Sequence, residues 1–347
     1  MNKKGQETRT QSIQSDFSQG VFAGSYAIRE FLAPENHPPL PLVELPDSLN
    51  PFKKDAVRIF AKLLTNLPGG QVKSGTAYEM FKALEEQGKL KDIQTIIEAS
   101  SGNTVSMETL FASHFGEHNK KKTVAIVIPG TSIGKIQLLQ LLGVHVMIAT
   151  EGIKKAKEEG KKKGVINPSQ YDNPANPDFF YRIIGPQLWK QTNGTLTLLC
   201  AGLGSGGTMM GTAKYLKEKN SKIQTLGVII NDGDSVPGVR TLKRLREVLL
   251  PWEDFVDYRQ FVSAKDSYKK SIQLIRKAAL LAGPSSGFAL QGLLQELQKM
   301  KEEKTLDTTR NENGEVVAVF IVPDGPLAYI SDYFTHLDPS FFHPVIS

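Results

Sequence analysis

Leu67-Pro68-Gly69-Gly70-Gln71-Val72-Lys73 sets one lysine directly after a glycine-rich turn, at the threshold of a helix-like run. A lysine so placed can be desolvated and aimed into a cleft, as an amine that forms an imine requires. Most lysines are solvated surface charges, so the motif gains meaning from two others. Ser101-Gly102-Asn103-Thr104 follows downstream, and Gly202-Leu203-Gly204-Ser205-Gly206-Gly207-Thr208 lies further on. Together they read as an amine, a carboxylate cradle and a phosphate cradle.

Outward from these motifs, short apolar runs alternate with longer helical patterns, the mark of an α/β protein with a largely parallel sheet. Strands are expected at Leu42–Leu45, Arg58–Lys62, Ile93–Glu98, Thr123–Pro129, Val144–Ala149, Thr195–Cys200, Gln224–Ile230 and Val316–Val322. Helices are expected at Gly75–Gln87, Lys135–Leu142 and Thr208–Glu218. The Asn-, Pro- and Asp-rich run Asn167–Pro177 reads as a loop where the chain crosses between domains.

The 347 residues, 40% of them hydrophobic, suffice for two α/β domains. No apolar run reaches the roughly 18 residues of a membrane span. Met1-Asn2-Lys3-Lys4-Gly5-Gln6 has basic residues with no apolar core behind them, unlike a secretory leader, and the polar first ~35 residues read as a loosely ordered extension. One cysteine, Cys200, excludes an intrachain disulfide or a cysteine-based zinc site, and its apolar surroundings make it a core residue. The six histidines show no metal-ligand spacing, so no metal is expected. The net charge of +6 comes partly from Lys120–Lys122 and the Lys/Glu-rich stretch Lys154–Lys163. No nucleic-acid motif accompanies it, and nucleic-acid and membrane partners are not expected.

Gly202–Thr208 follows a strand and opens a helix, so its backbone amides can converge on an anion. It also satisfies G-x-G-x-x-G, and Asp232 falls where a ribose-binding acid would, so a dinucleotide competes. Such fingerprints usually sit in the first βαβ unit, whereas this one lies beyond residue 200. A dinucleotide also leaves Lys73 and the Ser101–Thr104 turn without a role. A cofactor with one phosphate, an aldehyde and a ring hydroxyl employs all three, which points to pyridoxal phosphate.

With those residues assembled, the chain from about Pro39 to Tyr333 resembles the cysteine synthase and cystathionine β-synthase family of pyridoxal-phosphate enzymes (fold type II). Pro41–Leu45 is similar to the family's opening strand, Asn66–Lys73 to its Schiff-base lysine motif and Glu98–Thr104 to its substrate loop. Gln170–Pro177 is similar to its Gln-aromatic-x-Asn-Pro-x-Asn stretch, Gly202–Thr208 to its phosphate loop, and Gly283–Gly287 to a further active-site turn. The resemblance implies two three-layer α/β/α domains with pyridoxal 5'-phosphate in the interdomain cleft. Residues 67–180 would form a smaller, mobile domain, and 36–66 with 181–347 a larger one. Lys73 would form the internal aldimine and move the Cα proton. Asn103 would bond the ring hydroxyl, and Gly204, Ser205, Gly206, Gly207 and Thr208 would hold the phosphate. Ser101, Gly102, Thr104 and Gln170 would hold the substrate carboxylate. At the ring nitrogen, where the family usually has a hydroxyl residue, the aligned candidates are Asp324 and Gly325. Asp324 is preferred, since a carboxylate there favours a protonated pyridinium.

Departures bear on function. Lys73-Ser74-Gly75 replaces the usual Lys-Asp-Arg, and Val105 stands where glycine is common, adding bulk beside the substrate loop. The family's Gly-Ile-Gly turn has no clear counterpart, with Val236–Arg240 nearby. Arg240 reads as an exposed surface cation rather than a determinant for an acidic co-substrate. What the resemblance implies is β-replacement on an O-activated serine through an aminoacrylate: O-acetylserine and sulfide giving cysteine and acetate, in a cytoplasmic homodimer. Serine, O-phosphoserine or cysteine as donor, and another thiol or amine as nucleophile, stay open. So do a cystathionine β-synthase-like or β-eliminating activity and a degenerate member that binds the cofactor without turnover.

Overall fold

Residues 14–100, 102–115, 121–131 and 133–343 are described by the computed structural model. Ten strands occur among them: β1 (Leu42–Glu44), β2 (Val57–Leu63), β3 (Thr95–Ala99), β4 (Lys122–Val127), β5 (His145–Ile148), β6 (Val165–Ile166), β7 (Leu198–Gly202), β8 (Gln224–Ile230), β9 (Tyr258–Val262) and β10 (Val316–Val322). They form two sheets, one of six strands in the order β1-β2-β10-β7-β8-β9, the other of four in the order β5-β4-β3-β6. All pairings are parallel except the short β1–β2 edge.

β10 lies at the centre of the larger sheet, and its sequence Val-Val-Ala-Val-Phe-Ile-Val is buried on both faces. Helices cover both sides of such a sheet, so its strands read as continuous apolar runs rather than alternating ones. Burying each of these side chains other than Ala318 is worth about 1.5–3 kcal/mol. A ladder hydrogen bond is worth about 1 kcal/mol net. Packing therefore places this strand.

Parallel strands open their carboxyl ends toward one edge, where ligands collect. Each chemical motif of the sequence leaves a strand at such an end: Lys73 beyond β2, Asn103 after β3, the glycine loop after β7 and Asp324 after β10.

The expected strands are present: those at Gln224–Ile230 and Val316–Val322 have the expected bounds, and the other six differ at one or both ends by one to three residues. Strand β9 and the long helices Ala264–Ala278 and Pro284–Glu302 were not anticipated. The amino-terminal extension is corrected from Asp16 onward. Its helix Ala27–Leu32 sets Leu32 and Ala33 against Phe81, Phe111 and Phe115. Arg29 lies over the Phe115 ring at 4.5 Å and pairs with Glu85. Apolar residues spaced among polar ones found a partner that no local pattern could announce.

Candidate active site

Lys73 is the first residue of the helix Lys73–Glu86. The turn before it is clamped to the loop after β10: Val72 N donates to Pro323 O at 2.7 Å, and Gln71 pairs with Asp324 in an isolated bridge. Ser74 Oγ donates to Pro68 O, closing the turn on itself. Gly75 is a packing requirement, because a Cβ there would lie 2.4 Å from the Phe179 ring. The unusual Ser74-Gly75 pair is thereby explained by contacts on the far side of the lysine.

The Lys73 amine reaches the glycine loop, with Nζ 3.1 Å from Ser205 Oγ. That hydroxyl also accepts from Asn176 Nδ2 at 2.9 Å, and Asn176 Nδ2 reaches Gln170 O at 2.7 Å. Gly204 has no room for a side chain, since a Cβ would sit 2.1 Å from Gly238 O. Among the described residues, the amides of Gly204, Ser205 and Gly206 donate to no protein acceptor. They lie at the amino end of the helix Gly207–Lys219, where unpaired N–H groups and the helix dipole favour an anion.

Across the cleft, Asn103 Nδ2 donates to Asp324 Oδ2 at 2.7 Å. Tyr329 Oη donates to the same oxygen at 2.5 Å and lies 3.1 Å from Asn103 Oδ1, while Ser285 Oγ is 3.4 Å from Asp324 Oδ1. Burial raises the Asp324 pKa, and bonds from Tyr329, Asn103 and Ser285 oppose the rise. Thr104 Oγ1 donates to Gln170 Oε1 at 2.8 Å, bringing two expected carboxylate-binding residues together. Gly102 caps the helix Asn103–Ala112, whereas Ser101 lies outside the described residues.

Two carboxyls stand behind the amine. Glu98, at the end of β3, accepts from Ala99 N and Gln170 N. Glu108 is wholly buried, and neither of its oxygens has a hydrogen-bond partner among the described residues. Burial raises both pKa values, and for Glu108 the neighbouring Glu98 raises it further. Desolvation lowers the Lys73 pKa to about 8; Glu98 and Glu108 pull it back up, and Arg240 pushes it down.

Three expectations change. Val105 packs with Ala125, Val127, Leu139 and Val144, so its bulk fills the core of the four-stranded sheet and leaves the substrate loop alone. Gly283–Gly287 is no turn: Gly283 caps the helix that begins at Pro284. Arg240 is no surface cation, being only 8% exposed with its guanidinium 4.3 Å from the Tyr171 ring centre. Cys200 is a core residue, as its apolar neighbours suggested.

The cleft so formed measures about 220 Å³ and is lined by Lys73, Asn103, Gln170, Ser205, Asp324 and Arg240, among others. The sequence profile of the pyridoxal-phosphate-dependent enzymes matches residues 35–308. The chain belongs to that family. Within it, a cysteine synthase from Aquifex aeolicus is 31% identical over 306 residues, covering 84% of this chain and 88% of the relative. A cysteine synthase from Helicobacter pylori strain J99 is 32% identical over 260 residues, covering 70% and 83%. Among solved structures, a hydrogen sulfide-producing enzyme from Fusobacterium nucleatum superposes with a TM-score of 0.70 at 23% identity, over 84% of this chain and 96% of that one. O-ureido-L-serine synthase, in a mutant with O-ureido-L-serine bound, gives 0.72 at 20% identity, over 86% and 92%. The protein is thus a fold type II enzyme of the cysteine synthase family that uses pyridoxal phosphate, and the dinucleotide alternative falls away.

The residues present suit that cofactor. Three unpaired amides at a helix start match a phosphate, a largely buried amine of lowered pKa matches an aldehyde, and the Asn103–Asp324 pair offers polar atoms to a ring. Sequence reasoning missed Tyr329, Asn176, Glu108 and Lys135, the last paired with Asp332 at 3.8 Å near the Tyr329 ring. The second asparagine of Asn173-Pro174-Ala175-Asn176 was quoted without a role, and its spacing after Gln170 was the available signal.

Proposed function

We propose that the protein catalyses β-replacement on an O-activated serine, most directly O-acetylserine and sulfide giving cysteine and acetate. One observation carries the reading: a desolvated amine lies between an anion cradle and an asparagine–aspartate pair in a single cleft. Pyridoxal phosphate supplies an electron sink conjugated to the substrate Cα. Lys73 would hold it covalently, Gly204–Thr208 its phosphate, Asn103 its ring hydroxyl and Asp324 its ring nitrogen. Gln170, Thr104, Ser101 and Gly102 would hold the substrate carboxylate, leaving Cα next to Lys73 Nζ. With its pKa near 8, that amine is partly neutral at physiological pH, so it can take the Cα proton and return it after exchange at Cβ. Acetate leaves with the Cβ–O electron pair, and the sulfide sulfur forms the new bond to Cβ.

Closure of residues 67–180 over the substrate would exclude the water that diverts the reaction. A cytoplasmic homodimer belongs to the same reading. Leu141, Leu281, Leu327, Ile330 and Phe334 are exposed apolar side chains of the kind a second copy would cover. Sedimentation velocity tests the dimer. For the reaction, loaded protein is given O-acetylserine with and without sulfide. Cysteine should form in step with acetate; pyruvate as the main product would assign elimination instead, and no product would defeat both.

A further inference from the structure

Arg240 and Arg244 both line the cleft that holds Lys73. Arg240 leaves the glycine-loop side of the cleft, its backbone N–H donating to Leu203 O at 2.9 Å, and its guanidinium lies over the ring of Tyr171, the residue after Gln170. Only Nη1 is engaged, by Arg244 O and Glu247 Oε2, each at 3.3 Å. Nε and Nη2 have no acceptor among the described residues. The Glu247 side chain is 54% exposed, so water screens that ion pair. Arg244 has neither an ion pair nor a side-chain hydrogen bond among the described residues. Two guanidiniums against one exposed carboxylate leave an excess positive charge in a half-desolvated cleft. Desolvation is the main cause of the lowered Lys73 pKa, and Arg240 lowers it further, a repulsion of the protonated amine that an anionic ligand would offset.

Resting on the exchange at Cβ proposed above, we propose that Arg240, assisted by Arg244, forms an anion subsite, so that one of the two groups exchanged carries a carboxylate or phosphate. Planar guanidinium donors suit either oxyanion, because both accept two parallel N–H bonds. Thr104 and Gln170 already stand together for the α-carboxylate, so the guanidinium over Tyr171 is assigned to the group exchanged at Cβ. The anion belongs either to the leaving group or to the nucleophile.

Matched pairs separate these sources. In one arm, sulfide is held constant and O-phosphoserine is compared with O-acetylserine. In the other, the donor is constant and mercaptoacetate is compared with 2-mercaptoethanol, and acidic amino acids with their amides. The anionic member should be preferred in at least one arm. Arg240→Gln should reduce that preference, as a ratio of kcat/KM values, by about tenfold or more, and Arg240→Lys should retain part of it. Taking a ratio at one pH cancels any change in the Lys73 amine. Cofactor affinity should be unaltered. No anionic preference in either arm, or one that survives Arg240→Gln, would overturn the subsite. So would a fall in cofactor affinity, which would give the guanidinium to the cofactor phosphate. If no donor turns over, it is the exchange at Cβ that has failed. Titration of the loaded protein with succinate and inorganic phosphate, followed by cofactor absorbance, still decides: affinity should fall about tenfold in Arg240→Gln, and an unchanged affinity sinks the subsite.

Discussion

Lys62 lies near the end of β2 with its Nζ 2.7 Å from Leu40 O, 2.7 Å from Gln187 Oε1 and 2.8 Å from Gln191 Oε1, whereas the amine of Lys73, which opens the following α-helix, has Ser205 Oγ as its only hydrogen-bond partner among the described residues. Burial lowers both pKa values, to about 7 for Lys62 and about 8 for Lys73. The larger shift thus falls on the lysine with no access to a cleft. Lys62 spends all three of its protons on neutral oxygens and is sealed among them. Lys73 has unused bonding capacity and an open side. A depressed amine pKa reports desolvation, and chemistry needs desolvation together with access.

The strongest way to break this contrast is Lys73→Ala. Turnover should fall by at least about 10³-fold and the covalent cofactor absorbance should vanish, since the other amine lining the cleft, Lys135, is held by Asp332. Lys62→Met should keep both. An absorbing Lys73→Ala protein would overturn the assignment. The same Lys62→Met change should cost stability of about 1–3 kcal/mol, because Gln191 Oε1 loses its donor inside the protein while Gln187 Oε1 and Leu40 O each lose one of two. Chemical denaturation measures it, and an unchanged midpoint would mean that the oxygens find water.

Glu108 sharpens the comparison from the acidic side. Its buried, unpartnered carboxyl has a raised folded pKa, so the folded state holds a proton that the unfolded chain releases above pH 4.5. Stability should therefore fall as pH rises above that value. Glu108→Leu should flatten the decline and raise stability at pH 8 by about 1–3 kcal/mol. Thermal melts at pH 5 and pH 8 check the sign, and parallel curves for the two proteins would refute it. The smallest effect concerns pH alone. Attachment of the cofactor to apoprotein should quicken about tenfold per pH unit below 8 and level off above it, as the neutral Lys73 amine accumulates. A profile flat from pH 6.5 to 9 would show that attachment is limited elsewhere.

Much of the site could be read from local chemistry. Gly69-Gly70 before Lys73 and the four glycines from Gly202 to Gly207 can serve few purposes besides tight turns and close backbone approach, and their order along the chain carried the family resemblance. Asn103 and Asp324 were readable as site residues by the same route, although not their mutual bond. Val105 and Arg240 were misjudged for opposite reasons. A valine beside a substrate loop can face either way on a helix, and an arginine in a polar run reads as solvated until an aromatic ring is found beneath it. The helix Pro284–Glu302 was lost because its first residues were taken as a turn, a pattern that glycine and serine at a helix start readily imitate.

By itself the sequence determined the α/β class, the cofactor's chemical demands and the lysine that meets them, because turn glycines, strand-end positions and helix starts are local requirements. Only the tertiary structure decided which lysine stays idle, which carboxyls lose water and which arginine enters the cleft. Those outcomes depend on what lies across space from each side chain: for Lys62 the oxygens of residues 40, 187 and 191, for Arg240 the face of Tyr171. Desolvation is a property of the assembled surroundings, and no stretch of chain carries its own.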